Sequence, residues 1–309
     1  MTPLLELKGL HVGIPARRKT FEIVSDVSFS IMPGEAFGLV GESGSGKSLT
    51  ALSLIRLLKK PLKVTAGEIL FKGDDLRGLS DRAMRKLRGE RIAMIFQEPM
   101  TALNPLKTVG RQIAEMFVLH QGKSWAEALK MAVDALADVK VPAPEERVRA
   151  YPFQMSGGMR QRVMIAIALA CDPDLLIADE PTTALDVTVQ DEVLKLIAEL
   201  CSARGTAVLL ISHDLGVIAN MCQRVGVMYS GRLVEERDTY DVFADPQHPY
   251  TKGLLGALPR LGSRHGAAGR QRLVDIDSLI TDKSSLLEKF YFEPRHAVRD
   301  PRLRAGGPP

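Results

Sequence analysis

The chain has 309 residues, of which 45% are hydrophobic and 25% are charged, as in ordinary folded proteins. Its net charge of +4 is too small to indicate nucleic-acid binding without a concentrated basic patch. The N-terminus lacks a signal-peptide pattern, no stretch approaches the roughly 20 apolar residues that span a bilayer, and the cysteines form no CxxC pair. We therefore expect a chain that is neither exported nor embedded, with neither a disulfide framework nor a zinc site.

The first 40 residues alternate apolar and polar side chains, as in LLELKGLHV and VSDVSFSI, before the run EAFGLV. This alternation predicts antiparallel strands that lead into a buried strand. The glycine-rich loop GESGSGKS follows, and SLTALSLIRLLKK then shows helical spacing. Strand, loop and helix come in the order that a phosphate site requires.

The loop at residues 41–48 matches the pattern G-x4-G-K-S, in which backbone N–H groups surround phosphates. In this pattern Lys47 reaches the terminal phosphates and the Ser48 hydroxyl binds magnesium. A merely flexible glycine turn is the alternative, but the strand before the loop and the helix after it favour nucleotide binding.

Strands and helices alternate along the rest of the chain. RIAMIF, DLLIAD and TAVLLIS are typical of buried strands, which predicts a parallel sheet covered on both faces. The stretch from about residue 101 to 165 is helical and alanine-rich, so it predicts a helical subdomain inserted into an α/β core.

Polar residues close three of these strands. Asp179 would hold the magnesium shell, and Glu180 would orient or deprotonate the attacking water. Gln97 and His213 end two other apolar runs, and ligands bind where the carboxyl ends of such strands meet. Each of these two could also be an ordinary loop side chain.

A second anion site is predicted at FQMSGGMRQRV, where Ser156, Gly157 and Gly158 begin a helix. The helical insert would hold the two anion sites of one subunit apart, so both should not be needed for the same γ-phosphate. We therefore expect a second subunit, whose phosphate loop holds ATP while Ser156 to Gly158 of this chain cap the γ-phosphate across an interface.

Together these motifs resemble the set found in ABC-transporter ATPase subunits, over about residues 4–260. They correspond to the Walker A loop, Q-loop, signature, Walker B with catalytic glutamate, D-loop and H-loop, here GESGSGKS, Gln97, MSGGMRQR, LLIADEP, Ala184-Leu185-Asp186 and His213. More narrowly, FQEPMTALNP and HPYTKGLLGALP resemble the peptide/nickel importer branch.

The resemblance implies an α/β fold: a P-loop NTPase (RecA-like) parallel-sheet core with an N-terminal antiparallel β-subdomain and an inserted helical subdomain. Residues 1–259 would form the nucleotide-binding domain, with the helical subdomain at about residues 101–165. Residues 260–309 would be a tail that is poorly ordered or contacts a partner, and truncation after Pro259 should leave ATP affinity unchanged.

The resemblance also implies residue roles. Lys47 would bind phosphate, Glu180 would be the general base, and His213 would position the γ-phosphate and the water. The implied magnesium ligands are Ser48, Gln97 and Asp179. The implied nucleotide contacts are Gly41, Glu42, Ser43, Gly44, Ser45, Gly46, Lys47, Ser48, Leu49, Gln97, Ser156, Gly157, Gly158 and Asp186.

By the same resemblance, the cofactors are ATP and Mg²⁺, and closure of an ATP-bound dimer powers an importer of peptides or a related solute of dipeptide, oligopeptide or nickel type. The implied partners are a second ATPase subunit, identical or paralogous, two membrane-spanning permease subunits and, indirectly, an external solute-binding protein, with no nucleic acid. The chain would lie peripherally on the cytoplasmic face of the inner membrane.

Two features depart from this family pattern. The early stretch GIPARRKT has no aromatic residue to stack on adenine, which leaves Phe21 as a displaced candidate. The branch commonly ends in a cysteine-rich segment that can hold an iron–sulfur cluster, whereas residues 290–296 read FYFEPRH, so we expect no cluster.

Two alternative functions were weighed against the importer. A soluble ABC ATPase that acts on nucleic acid or ribosomes usually carries two cassettes or a long coiled-coil insertion, and this chain has one motif set and a helical insert of ordinary size. A regulatory subunit without turnover is disfavoured because Glu180 and His213 are both present.

Overall fold

The computed structural model describes residues 2–17, 19–97, 102–182 and 186–257, which form two sheets and the helices around them. The first sheet is antiparallel and has the strand order β2-β1-β4-β5. Its strands are β1 (Leu5–Pro15), β2 (Thr20–Ile31), β4 (Lys63–Phe71) and β5 (Asp74–Asp75).

The second sheet has the order β10-β9-β3-β8-β7-β6 and is parallel except for its edge strand β10. Its strands are β3 (Ala36–Val40), β6 (Ile92–Ile95), β7 (Leu175–Asp179), β8 (Ala207–Ile211), β9 (Arg224–Tyr229) and β10 (Arg232–Asp238). Every residue of β7 and β8 is buried, as expected for strands covered on both faces.

Several helices begin at a residue whose side chain caps them. The side chains of Thr108, Ser124, Ser156 and Asp186 each accept a hydrogen bond from a backbone N–H of the helix that they precede. The described helices are α1 (Lys47–Leu54), α2 (Asp81–Glu90), α3 (Val109–Gln121), α4 (Trp125–Asp138), α5 (Pro144–Arg147), α6 (Gly157–Leu169), α7 (Val187–Arg204), α8 (Leu215–Met221), α9 (Thr239–Ala244) and α10 (Pro249–Gly256).

The parallel sheet separates two hydrophobic cores, because successive side chains of a strand point to opposite faces. On β7, Leu176 packs with the α3, α4 and α6 side, whereas Leu175 and Ile177 pack with α1, α2 and the antiparallel sheet. The α3–α4 pair packs on α6, and α6 contacts β6 at the edge of the sheet. This arrangement confirms the expected fold class, while the domain boundary near residue 259 lies outside the described residues and stays a prediction.

None of the helices in the described ranges combines the length and apolar character needed to cross a bilayer. The thiols are enclosed by the fold: burial raises the pKa of Cys201 and of Cys222 to about 12, and that of Cys171 to about 11.

A partly buried ion cluster lies at the β10 edge of the sheet. Arg224 lies between Glu35, whose Oε1 is 2.9 Å from Nη1, and Glu236, and it stacks over the ring of Phe37. Burial raises the pKa of Glu236 to about 7, although the charge of Arg224 opposes this shift.

This cluster predicts a pH-dependent stability. Between about pH 4.5 and pH 7 the folded chain keeps a proton on Glu236 that the unfolded chain has released, so the free energy of unfolding falls as pH rises. In the Glu236→Gln variant, residue 236 cannot ionise. From about pH 4.5 to pH 7, the free energy of unfolding of this variant should therefore rise relative to that of wild type by up to about 3 kcal/mol. Denaturant unfolding at about pH 5 and pH 8 measures this rise, and Glu68→Gln, at an exposed position, is the control. If the free energies of unfolding of Glu236→Gln and wild type differ by the same amount at both pH values, the prediction is wrong.

Candidate functional site

The glycine-rich loop lies between β3 and α1, and its backbone needs glycine. Gly41, Gly44 and Gly46 have φ values of 148°, 82° and 103°, which side chains disfavour. A Cβ on Gly41 would lie 2.2 Å from the carbonyl oxygen of Met228. The loop ends directly at the N-terminus of α1, where backbone N–H groups and the helix dipole favour an anion.

Lys47 is nearly enclosed by this loop, with 5% of its surface exposed. Its Nζ donates hydrogen bonds to the carbonyl oxygens of Gly41, at 2.7 Å, and Glu42, at 2.8 Å. Burial lowers the pKa of Lys47, while the charges of Glu180 and Asp179 oppose that change. A buried cation at the start of a helix is suited to receive a phosphate group.

Ser48 and Asp179 provide two oxygen atoms beside the loop. The Ser48 hydroxyl donates a hydrogen bond to Asp179 Oδ1 at 3.1 Å, and Asp179 is 4% exposed at the end of β7. Burial raises the pKa of Asp179, so an added positive charge would favour its ionised form. Hydroxyl and carboxylate oxygens are the ligands that Mg²⁺ prefers, and this pair therefore fits the ion.

Glu180 lies at the centre of a cluster formed by three strand ends. Its Oε2 accepts a hydrogen bond from Gln97 Nε2 at 2.9 Å, and its Oε1 is 3.3 Å from His213 Nδ1. Its backbone has a φ of 48°, a strained conformation for a residue with a side chain, and its N–H bonds to the carbonyl oxygen of Ile211. The structure thus brings Gln97, Glu180 and His213 together, and the contact of Gln97 here is with Glu180.

The signature residues form a second cluster with Asp186. The Ser156 hydroxyl caps α6 through the Met159 N–H, and a Cβ on Gly158 would lie 3.0 Å from the side chain of Val189. Asp186 caps α7 by accepting a hydrogen bond from the Val189 N–H at 3.0 Å. Ser156, Gly157 and Asp186 are exposed, so this helix start can face another molecule.

Two contacts of the phosphate loop were missed by the sequence reasoning. The Tyr250 hydroxyl accepts a hydrogen bond from the Glu42 N–H at 3.0 Å, and the Gly231 N–H donates one to the Ser45 carbonyl oxygen at 3.1 Å. The available signal was HPYTKG, which sequence analysis used only as a mark of the importer branch.

The remaining predictions concern adenine and the segments outside the described residues. Phe21, the displaced adenine candidate, is on β2 opposite Ile14 and is 59% exposed. The D-loop residues Ala184 and Leu185 and the segment 290–296 lie outside the described residues.

Comparison with known proteins finds a family and close relatives for this chain. Residues 24–183 match the ABC transporter family model, and residues 234–278 match the oligopeptide/dipeptide transporter C-terminal region. A probable peptide ABC transporter ATP-binding protein of Sinorhizobium fredii, y4tR, is 54% identical over 257 residues, 83% of this chain and 77% of that protein. The dipeptide transport ATP-binding protein DppD of Bacillus subtilis is 52% identical over 262 residues, 84% and 78% of the two chains.

A solved structure shows the same fold. The dimeric ATP-binding cassette MJ0796, in a post-hydrolysis state bound to ADP and Pi, aligns with a TM-score of 0.67 and 28% identity, over 76% of this chain and 98% of that one. With the motif cluster at the strand ends and these relatives, the chain belongs to the ABC transporter family and is an ATP-binding, ATP-hydrolysing subunit.

Proposed function

We propose that this chain hydrolyses ATP to power the import of peptides through a membrane transporter. The main support for a peptide as the transported solute is the match of residues 234–278 to the oligopeptide/dipeptide transporter C-terminal region. Relatives with names that specify peptide or dipeptide transport support it. A transporter subunit of this kind is membrane-associated, and we place it on the cytoplasmic face.

The residues of the cluster divide the chemistry among them. Lys47 binds the terminal phosphates, and Ser48 with Asp179 would hold Mg²⁺, which supplies positive charge against the charge that develops on the phosphoryl group. Glu180 takes the proton of the attacking water. Gln97 and His213 each contact one carboxylate oxygen of Glu180 and so orient the base.

The second anion site acts in a dimer. Ser156 to Gly158 lie at an exposed helix start, and their contacts run to α7. We infer that they cap the γ-phosphate held by a second ATPase subunit, identical or paralogous, and that Asp186 lies at the same interface. ATP then favours the closed dimer and loss of the γ-phosphate opens it, because only differential affinity shifts a conformational equilibrium.

The helical region offers a surface for a membrane subunit. Tyr151 and Phe153 stack with ring centroids 5.6 Å apart, yet 38% and 66% of their surfaces are exposed. Leu106 is 85% exposed. Exposed aromatic and apolar side chains of this kind mark protein interfaces. We propose that these exposed side chains contact a short helix from one of two permease subunits. An external peptide-binding protein would deliver peptide to the permease subunits on the outer side of the membrane.

Co-expression with the neighbouring genes tests this assembly. We expect two membrane-spanning subunits to copurify with the chain, and Phe153→Ala to reduce that copurification while the isolated chain binds ATP as before. Trp125→Ala, another partly exposed aromatic residue of the helical region, is the matched control. Copurification with ribosomes or DNA in place of membrane subunits would contradict the importer.

A further inference from the structure

The outer side of the phosphate loop rests on residues that come after His213, the last of the ABC motifs. Gly231, in the turn between β9 and β10, contacts the middle of the loop at Ser45. Tyr250, in α10, contacts its beginning by accepting the Glu42 N–H at 3.0 Å. Lys47 holds the carbonyl oxygen of Glu42 from the inner side at 2.8 Å, so residue 42 is fixed from both sides.

Tyr250 is itself held in place by its surroundings. It is 1% exposed, and its ring centroid is 4.3 Å from that of Tyr229. Its N–H donates to His248 Nδ1 at 3.1 Å, and the buried Glu235 carboxylate accepts the N–H groups of His248, at 3.0 Å, and Gln247, at 2.8 Å. Burial lowers the pKa of His248, which keeps the ring neutral and its Nδ1 an acceptor.

This arrangement matters because the loop is rich in glycine. Gly41 precedes Glu42 and Gly44 follows it closely, and glycine loses more backbone freedom on ordering than any other residue. A loop ordered before the nucleotide arrives does not spend binding free energy on that ordering. The Tyr250 hydroxyl supplies such an anchor between the two glycines, and it does so without occupying the phosphate site.

We propose that Tyr250 is a positioning residue for ATP binding: its hydroxyl holds the Glu42 peptide and keeps the phosphate loop in the binding conformation. The C-terminal region of this transporter branch is thereby a working part of the nucleotide site. The proposal rests on residues 41–48 being the phosphate site.

Tyr250→Phe tests the proposal because it removes the hydroxyl and keeps the ring. A hydrogen bond of this kind contributes about 0.5–1.5 kcal/mol, so we expect the Kd for MgADP and the KM for ATP to rise by about 3- to 10-fold while kcat changes less than about twofold. Tyr229→Phe removes a hydroxyl from the other ring of the same tilted pair and should leave both constants unchanged. A purely structural role would lower the Tm and leave KM at its wild-type value.

Hydrogen exchange at the Glu42 amide gives a second readout that does not depend on nucleotide binding. In the nucleotide-free wild-type chain this amide should exchange slowly, and in Tyr250→Phe it should exchange faster. An unprotected Glu42 amide in wild type, or unchanged nucleotide affinity in Tyr250→Phe, overturns the proposal. Lys47→Ala distinguishes two reasons for an unchanged affinity in Tyr250→Phe. If Lys47→Ala also binds nucleotide normally, residues 41–48 are not the phosphate site. If Lys47→Ala loses binding, the phosphate site is correct and only the role of Tyr250 is wrong.

Discussion

Glu180→Gln should lower kcat for ATP hydrolysis by about 10³-fold, within the range that a general base contributes. The amide keeps the shape of the side chain and an acceptor oxygen for Gln97 or His213, but it cannot take a proton from water. Lys47, Ser48 and Asp179 are untouched, so the Kd for ATP should stay within about threefold of wild type. Turnover and nucleotide binding, measured separately on the purified variant, check both expectations.

The same variant should accumulate as a dimer in the presence of ATP, because the γ-phosphate that favours the closed state is no longer removed. Size-exclusion chromatography with ATP and with ADP distinguishes the two states. Glu199→Gln is the matched control, since Glu199 is exposed and its ion pair with Lys140 lies on the surface. Normal turnover by Glu180→Gln would show that another group is the base.

Lys47→Ala should weaken ATP binding by about 10²-fold, which corresponds to about 3 kcal/mol. The effect is large because Lys47 is buried against the loop, where its charge is screened little by water. Lys195→Ala, which removes an exposed lysine paired with Asp191, should leave the Kd unchanged. Isothermal titration with MgADP measures both, and an unchanged Kd for Lys47→Ala would remove residues 41–48 from the phosphate site.

The catalytic cluster could be predicted from sequence because its members follow apolar strands. Parallel strands bring their carboxyl ends to one edge, so Gln97, Asp179 and His213 could be expected to converge without a structure. The helix start at Ser156 could also be predicted, since its cap is local in sequence.

Other features had no such signal. Helix α2 was not predicted because its apolar stripe is short, being limited to Ala83, Met84 and Leu87 among the polar residues of DRAMRKLRGE, and only Met84 is fully buried. The Tyr250–Glu42 contact joins residues 208 positions apart, and no local pattern links them. Glu180 has a positive φ, and nothing in the sequence around this strand end indicates that conformation.

The most direct test of the account is ATP hydrolysis by the chain assembled with its membrane subunits in lipid nanodiscs, with and without a peptide-loaded binding protein. The account predicts that the loaded binding protein raises the hydrolysis rate several-fold, and that Glu180→Gln abolishes the stimulated rate. An ATP hydrolysis rate that does not change with the loaded binding protein and increases with ribosomes or DNA would contradict the assignment to peptide import.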